Sequence, residues 1–229
     1  MPTIVRATVP ATEVALAETF AALPTLEVEA ERVVKSGEKV VMPLLWIRNA
    51  GVEEFESACA EDPTIDDLEL LADFGDELLY RMHWIEQVGL LLQMLTNGQA
   101  TILNAFGTEE QWHLRMLYPS RDHLSQTKEF CVEHELEFTV DAIREMEGDP
   151  SGRYGLTTEQ YETLVTAVRR GYFEVPRDIN LEELADELGV SHQAVSECLR
   201  RGTEALIEDT LLVGFPEQET QPPSPLEGD

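Results

Sequence analysis

Residues 181–201, LEELADELGVSHQAVSECLRR, hold two amphipathic helical repeats hinged at one glycine. Leu181, Leu184, Ala185 and Leu188 recur at the spacing that places them on one helix face. Gly189 ends that run, because glycine takes a positive φ without steric cost. Ser191 stands where the N-cap of the next helix belongs. Val195 and Leu199, with Cys198 beside them, form the apolar face of that helix, which continues towards Leu206 and Ile207. Ala185 is small where the two helices would cross, and Val190 and Val195 are expected to plug the junction. The pattern is a helix-turn-helix.

Upstream, Asn180 with Glu183, and Thr157 with Gln160, are capping boxes that mark helix starts. Tyr161, Leu164, Val165 and Val168 repeat at helical spacing as far as Gly171. Residues 156–215 therefore read as an all-α unit. The turn-forming cluster Gly148, Asp149, Pro150, Ser151 and Gly152 makes 148–155 a linker. From Pro216 onward the chain has no apolar periodicity, and 216–229 reads as a disordered, acidic, proline-rich tail.

Residues 1–147 alternate β-rich and helical patterns. Strands are expected at 3–9, 26–34, 39–48 and 65–74, with helices at 12–23 and 52–60. A second series follows: strand 78–84, helix 85–95, a hairpin of 100–106 with 112–118, helix 120–134 capped by Ser120, and strand 136–143. Both series run βαββαβ, the element order of a ferredoxin-like unit. The fold class is thus an α+β N-terminal domain, read as duplicated ferredoxin-like units on element order alone, followed by an all-α helix-turn-helix domain.

The chain carries 45 Asp and Glu against 16 Lys and Arg, a formal charge of −29 over 229 residues. That excludes a small basic DNA-wrapping protein, while 43% hydrophobic composition is enough for a core. Thirteen of the basic residues are Arg and three are Lys, and the acids are dispersed along the chain. Such a surface suits multimolar salt, where a Debye length of about 3 Å at 1 M screens self-repulsion; an acidic protein with a dedicated partner at ordinary salt is the alternative. The longest apolar runs are far short of the roughly 18 residues of a bilayer span. No charged-then-apolar leader opens the chain, and Cys59, Cys131 and Cys198 are odd in number and widely spaced. A cytoplasmic protein with reduced thiols, and no membrane association, is expected.

If the helix beginning at Ser191 enters a DNA major groove, His192, Gln193, Ser196, Glu197 and Arg200 lie on its outward face. Gln pairs bidentately with adenine and Arg with guanine, while Glu accepts from cytosine or excludes phosphate. Of the arginines available here, Arg153, Arg169, Arg170, Arg177, Arg200 and Arg201, those assigned to phosphate are Arg177 and Arg201, with about half of the set pairing to nearby Glu. The segment 151–215 has 6 basic and 12 acidic residues, which opposes ordinary electrostatic docking. Six phosphate contacts would in any case lose about seven decades of affinity between about 0.15 M and about 3 M salt. A binder working there depends on base edges, shape and apolar burial.

The residues LTTEQ at 156–160, GYFEVPR at 171–177, and Glu183, Leu184, Ala185, Leu188-Gly189-Val190-Ser191, Ala194 to Glu197 and Leu199 to Gly202 resemble the C-terminal helix-turn-helix of bacterio-opsin activator-type regulators of halophilic archaea. Residues 1–150 more loosely resemble the domain that precedes it in that family. Longer members carry PAS or GAF sensors further upstream, for which these 229 residues have no room. Cys198 departs from the pattern, standing where a basic residue is expected. The resemblance implies a sequence-specific transcriptional regulator binding double-stranded DNA. Its N-terminal domain would set homodimerisation, contact the transcription machinery or bind an unidentified small molecule. A sensing module or protein-interaction adaptor with a purely structural helix-turn-helix is the competing reading.

Other candidate sites are weaker. Cys131 and His134 lie three apart on one expected helix, but no second ligand pair accompanies them, so a packed thiol and an exposed imidazole are the simpler reading. His83-Trp84 and Trp112-His113 are expected to belong to an ordinary core. Phosphate-binding glycine loops, a Gly-x-Ser-x-Gly elbow and His-Glu-x-x-His are absent from the sequence, so neither catalysis, cofactor nor metal is expected.

Overall fold

The computed structural model describes residues 1–36, 40–84, 98–146, 152 and 154–210. The expected helix at 85–95, most of the linker, Arg153, the side chain of Trp84 and the tail from 216 lie outside the described residues.

Eight strands form one antiparallel sheet: β1 (Thr3–Pro10), β2 (Glu27–Ser36), β3 (Val40–Arg48), β4 (Ile65–Asp73), β5 (Glu77–Trp84), β6 (Thr101–Gly107), β7 (Gln111–Tyr118) and β8 (Thr139–Glu145). Helices α1 (Ala17–Ala22), α2 (Val52–Glu61) and α3 (Arg121–Glu133) interrupt them in the expected order. The spatial order is β4-β5-β3-β2-β6-β7-β1-β8. Neither βαββαβ series closes on itself: β1 sits between β7 and β8, and β5 sits between β3 and β4. The two series have exchanged their first strands, and the β2–β6 pairing joins the halves.

Period-two alternation decides which side of each strand is buried. Val5, Ala7 and Val9 of β1 face the core with Trp112, Leu114, Met116 and Tyr118 of β7. Val28 and Ala30, Leu45 and Ile47, and Tyr80 and Met82 do the same across the other half, and Phe20 of α1 and Phe55 of α2 pack onto them. Trp112 donates its indole N–H to the Ala15 carbonyl at 3.0 Å, satisfying its polar atom inside the core.

Three local expectations are corrected. The helix expected over 12–23 is a 3₁₀ turn at Ala11–Glu13 followed by the six residues of α1, because Leu16 takes a left-handed conformation (φ 66°) that ends any continuous helix. Val14, Leu16 and Phe20 are nevertheless buried, so periodicity found the core residues and misjudged the backbone. Ser120 occupies the N-cap of α3, but its hydroxyl pairs with His123 Nδ1 at 2.9 Å instead of capping a backbone N–H. The last strand begins at Thr139, three residues later than expected, and is an exposed sheet edge.

The C-terminal unit has its own core. Helices α4 (Thr158–Arg169), α5 (Leu181–Leu188) and α6 (His192–Thr210) enclose Leu156, Leu164, Ala167, Leu184, Ala185, Val195 and Leu199. No described helix is long and apolar enough to cross a membrane.

Candidate nucleic-acid interface

Each helix of this unit starts where its sequence supplies a cap. The Gln160 N–H donates to Thr157 Oγ1 at 3.2 Å, and the Thr157 N–H donates back to Gln160 Oε1 at 2.9 Å. At α5 the N–H groups of Glu182 and Glu183 donate to Asn180 Oδ1 at 2.9 and 3.0 Å, while the Asn180 N–H donates to Glu183 Oε2. Gly189 then turns the chain at φ 69°, with the Val190 N–H donating to the Ala185 carbonyl. The Ala194 N–H donates to Ser191 Oγ at 3.2 Å, so Ser191 caps α6.

Val195 and Leu199 are buried against α5, which turns the opposite side of α6 outward. His192, Gln193, Ser196, Glu197, Arg200 and Arg201 are all exposed, as is Ser191. Gly202 lets α4 approach α6: a Cβ there would stand 2.8 Å from Leu164 Cδ1 and 3.3 Å from Gln160 Cβ. Cys198 faces α4 and lies 3.4 Å from Thr163 Oγ1, so it is turned from the outward face. Val190, expected to plug the junction, is 43% exposed; Val195 fills that place, being 1% exposed.

The arginines are mostly engaged. Arg201 Nη2 lies 2.5 Å from Glu197 Oε1, Arg200 Nη1 3.4 Å from Glu204 Oε2, and Arg170 Nη2 2.6 Å from Glu187 Oε1. All are solvent-exposed pairs, each contributing at most about 1 kcal/mol and less in strong salt. Arg177 differs, its guanidinium lying 4.6 Å from the centre of the Tyr172 ring. It belongs to a loop closed at its base, where the N–H groups of Glu174 and Asp178 both donate to the Gly171 carbonyl.

Between this loop and α6 runs a cleft of about 710 Å³, walled by Tyr172, Phe173 and Arg177 on one side and Ser196, Arg200 and Thr203 on the other. The structure thus brings Arg177 to the same cleft as Ser196 and Arg200, a neighbourhood that sequence spacing did not reveal. A signal was present: GYFEVPR has two aromatics and an arginine between two helices that are otherwise closely capped. The apolar residues nearby are unusually open, with Phe173 53% and Val175 96% exposed.

The discounted sites sit as packed or surface groups. Cys131 is buried, and burial pushes its thiol up to about 11; His134 stacks on Phe130 at 3.9 Å and meets its carbonyl. Trp112 is a core residue, whereas His113 lies on the opposite sheet face, against Thr8 at 3.2 Å and Gln111 at 3.3 Å. Among the described residues no three His, Cys, Asp or Glu side chains form a metal-holding group.

Comparison with protein families finds two matches. A model described as an HTH DNA binding domain matches residues 156–208, and one described as a GAF and HTH_10 associated domain matches residues 5–156, about two-thirds of the chain. A search of curated proteins finds no match.

Proposed function

Since the chain belongs to the bacterio-opsin activator-type helix-turn-helix regulators, we propose that it reads a specific DNA sequence by inserting the first turns of α6 into the major groove. One observation carries this reading: the capped N-terminal half of α6 presents Gln193, Ser196 and Arg200 together on a solvent-exposed face. Gln193 and Arg200 contact base edges, with His192, Ser196 and Glu197 around them. Arg177, on the loop between the first two helices, and Arg201, midway along α6, take phosphates; the corresponding loop touches the backbone in three-helix DNA readers. Ser191, whose oxygen accepts the Ala194 N–H in the cap, keeps its hydroxyl proton to donate to the DNA backbone.

The N-terminal domain, residues 1–147, holds the input. Its sheet order supports a reading as two ferredoxin-like units with exchanged first strands, because β4-β5-β3-β2 repeats as β8-β1-β7-β6. The sheet ends in β4 and β8, whose outer edges suit pairing with a second copy or with the transcription machinery. A homodimer would place two α6 helices about 34 Å apart, one turn of DNA.

The test is capture of genomic fragments by the full chain in multimolar KCl. Recovery of a small, sequence-related set is the expected result. Recovery of fragments without a common motif would contradict the proposal.

A further inference from the structure

Arg6 of β1 and Arg115 of β7 are direct cross-strand partners on the sheet face away from the N-terminal core. Two like charges in that position repel each other. Burial lowers the proton affinity of the Arg115 guanidinium, the Asp209 carboxylate raises it, and the charges of Arg6 and of Arg144 on β8 are close enough to lower it again. Three arginines on three neighbouring strands are conspicuous in a chain with 45 acids, and the acid that answers two of them, Arg6 and Arg115, comes from the other unit. Asp209, on the last turn of α6 and 4% exposed, places Oδ2 2.6 Å from Arg115 Nη2 and Oδ1 3.2 Å from Arg6 Nη2. Gly155 borders the joint: a Cβ there would lie 2.7 Å from Arg144 Nη1 and 3.2 Å from Asp209 Cγ.

We propose that Asp209 is a positioning residue for DNA reading, latching the far end of the recognition helix to the sheet through Arg115 and Arg6. α6 is one helix of 19 residues. From Gln193 to Asp209 it rises about 24 Å and turns about 160° from its starting direction, so the reading face and the latch look opposite ways. DNA and sheet can hold the helix at once. A change where β1, β7 and β8 meet then reaches the reading residues as a change in helix direction. Burial makes the Arg115–Asp209 pair suitable, its side chains being 10% and 5% exposed: at a Debye length of about 3 Å in 1 M salt the exposed Arg–Glu pairs of α6 are screened, whereas a buried pair is screened much less. The ion pairs of Arg6 and Arg115 with Asp209 both join the sheet to the three-helix unit.

The inference concerns the joint, and its consequence for binding rests on the DNA-reading proposal above. The test uses the full chain with Cys198→Ser, spin-labelled at Glu53→Cys on α2 and Glu182→Cys on α5, in multimolar KCl. A narrow distance distribution is expected, broadened by Asp209→Asn and narrowed again by the charge exchange Asp209→Arg with Arg115→Asp. Affinity for the selected DNA site should fall about tenfold in Asp209→Asn and recover in the exchange variant. An unchanged distribution in a folded Asp209→Asn protein overturns the latch. So does a broad distribution in the unsubstituted protein. If the distances behave as expected but no DNA sequence is preferred, the latch stands and the DNA-reading proposal fails.

Discussion

Arg201 and Glu197, one turn apart on the outward side of α6, are ion-paired at 2.5 Å. The arginine assigned to phosphate is therefore held by its own helix before any DNA arrives. Glu197→Gln should release it, raising affinity for all sequences at low salt and steepening the slope of log K against log salt by about 0.9. Anisotropy titrations over a KCl series measure this. An unchanged slope would remove Arg201 from the phosphate contacts.

Base readout predicts a different signature. Gln193→Ala or Arg200→Ala should each cost about 1–3 kcal/mol on the preferred site and relax preference at one base position, with little change in salt slope. Competition titrations against singly substituted sites report it. Equal binding by variant and unsubstituted protein would displace that residue from the base edges.

Gly171 holds the Arg177 loop at φ 72°, and a Cβ there would stand 2.5 Å from Asp178 Oδ2. Gly171→Ala should therefore destabilise the helical unit by about 1–2 kcal/mol. Urea unfolding followed in the C-terminal unit measures the loss. A neutral result would mean that the loop refolds around the new side chain at no cost.

Acid stability should report on Asp62. Burial favours its neutral form, but hydrogen bonds from the hydroxyl and N–H groups of Thr64 and Thr19 outweigh that and hold its carboxyl below the ordinary value. A depressed folded pKa stabilises the native state above the unfolded value of about 3.9, and that contribution is lost as pH falls through the folded value. Chemical unfolding at stepped pH should show this acid-side loss, and Asp62→Asn should lack its share of it. Identical pH profiles would refute the assignment.

What the sequence made legible was local. Capping boxes join residues three apart, so Thr157 with Gln160 and Asn180 with Glu183 could be read directly, and the buried side of α6 followed from Val195 and Leu199. The element order of the sheet was legible for the same reason. Its strand exchange was not, because pairing β1 with β7 joins residues more than a hundred positions apart and alternation does not encode partners. Asp209 looked like one acid among 45, since its partners are 94 and 203 residues away. The cleft beside α6 escaped notice because Arg177 faces Ser196 and Arg200 across it only once three helices have packed.

Selection from random duplex DNA in multimolar KCl, run in parallel with the full chain and with Arg200→Ala, tests DNA reading by α6 most directly. Enrichment of one motif by the unsubstituted chain, with preference lost at one position in the variant, is the predicted result. Recovery of the same motif in full by both proteins, or of no motif by either, would contradict it.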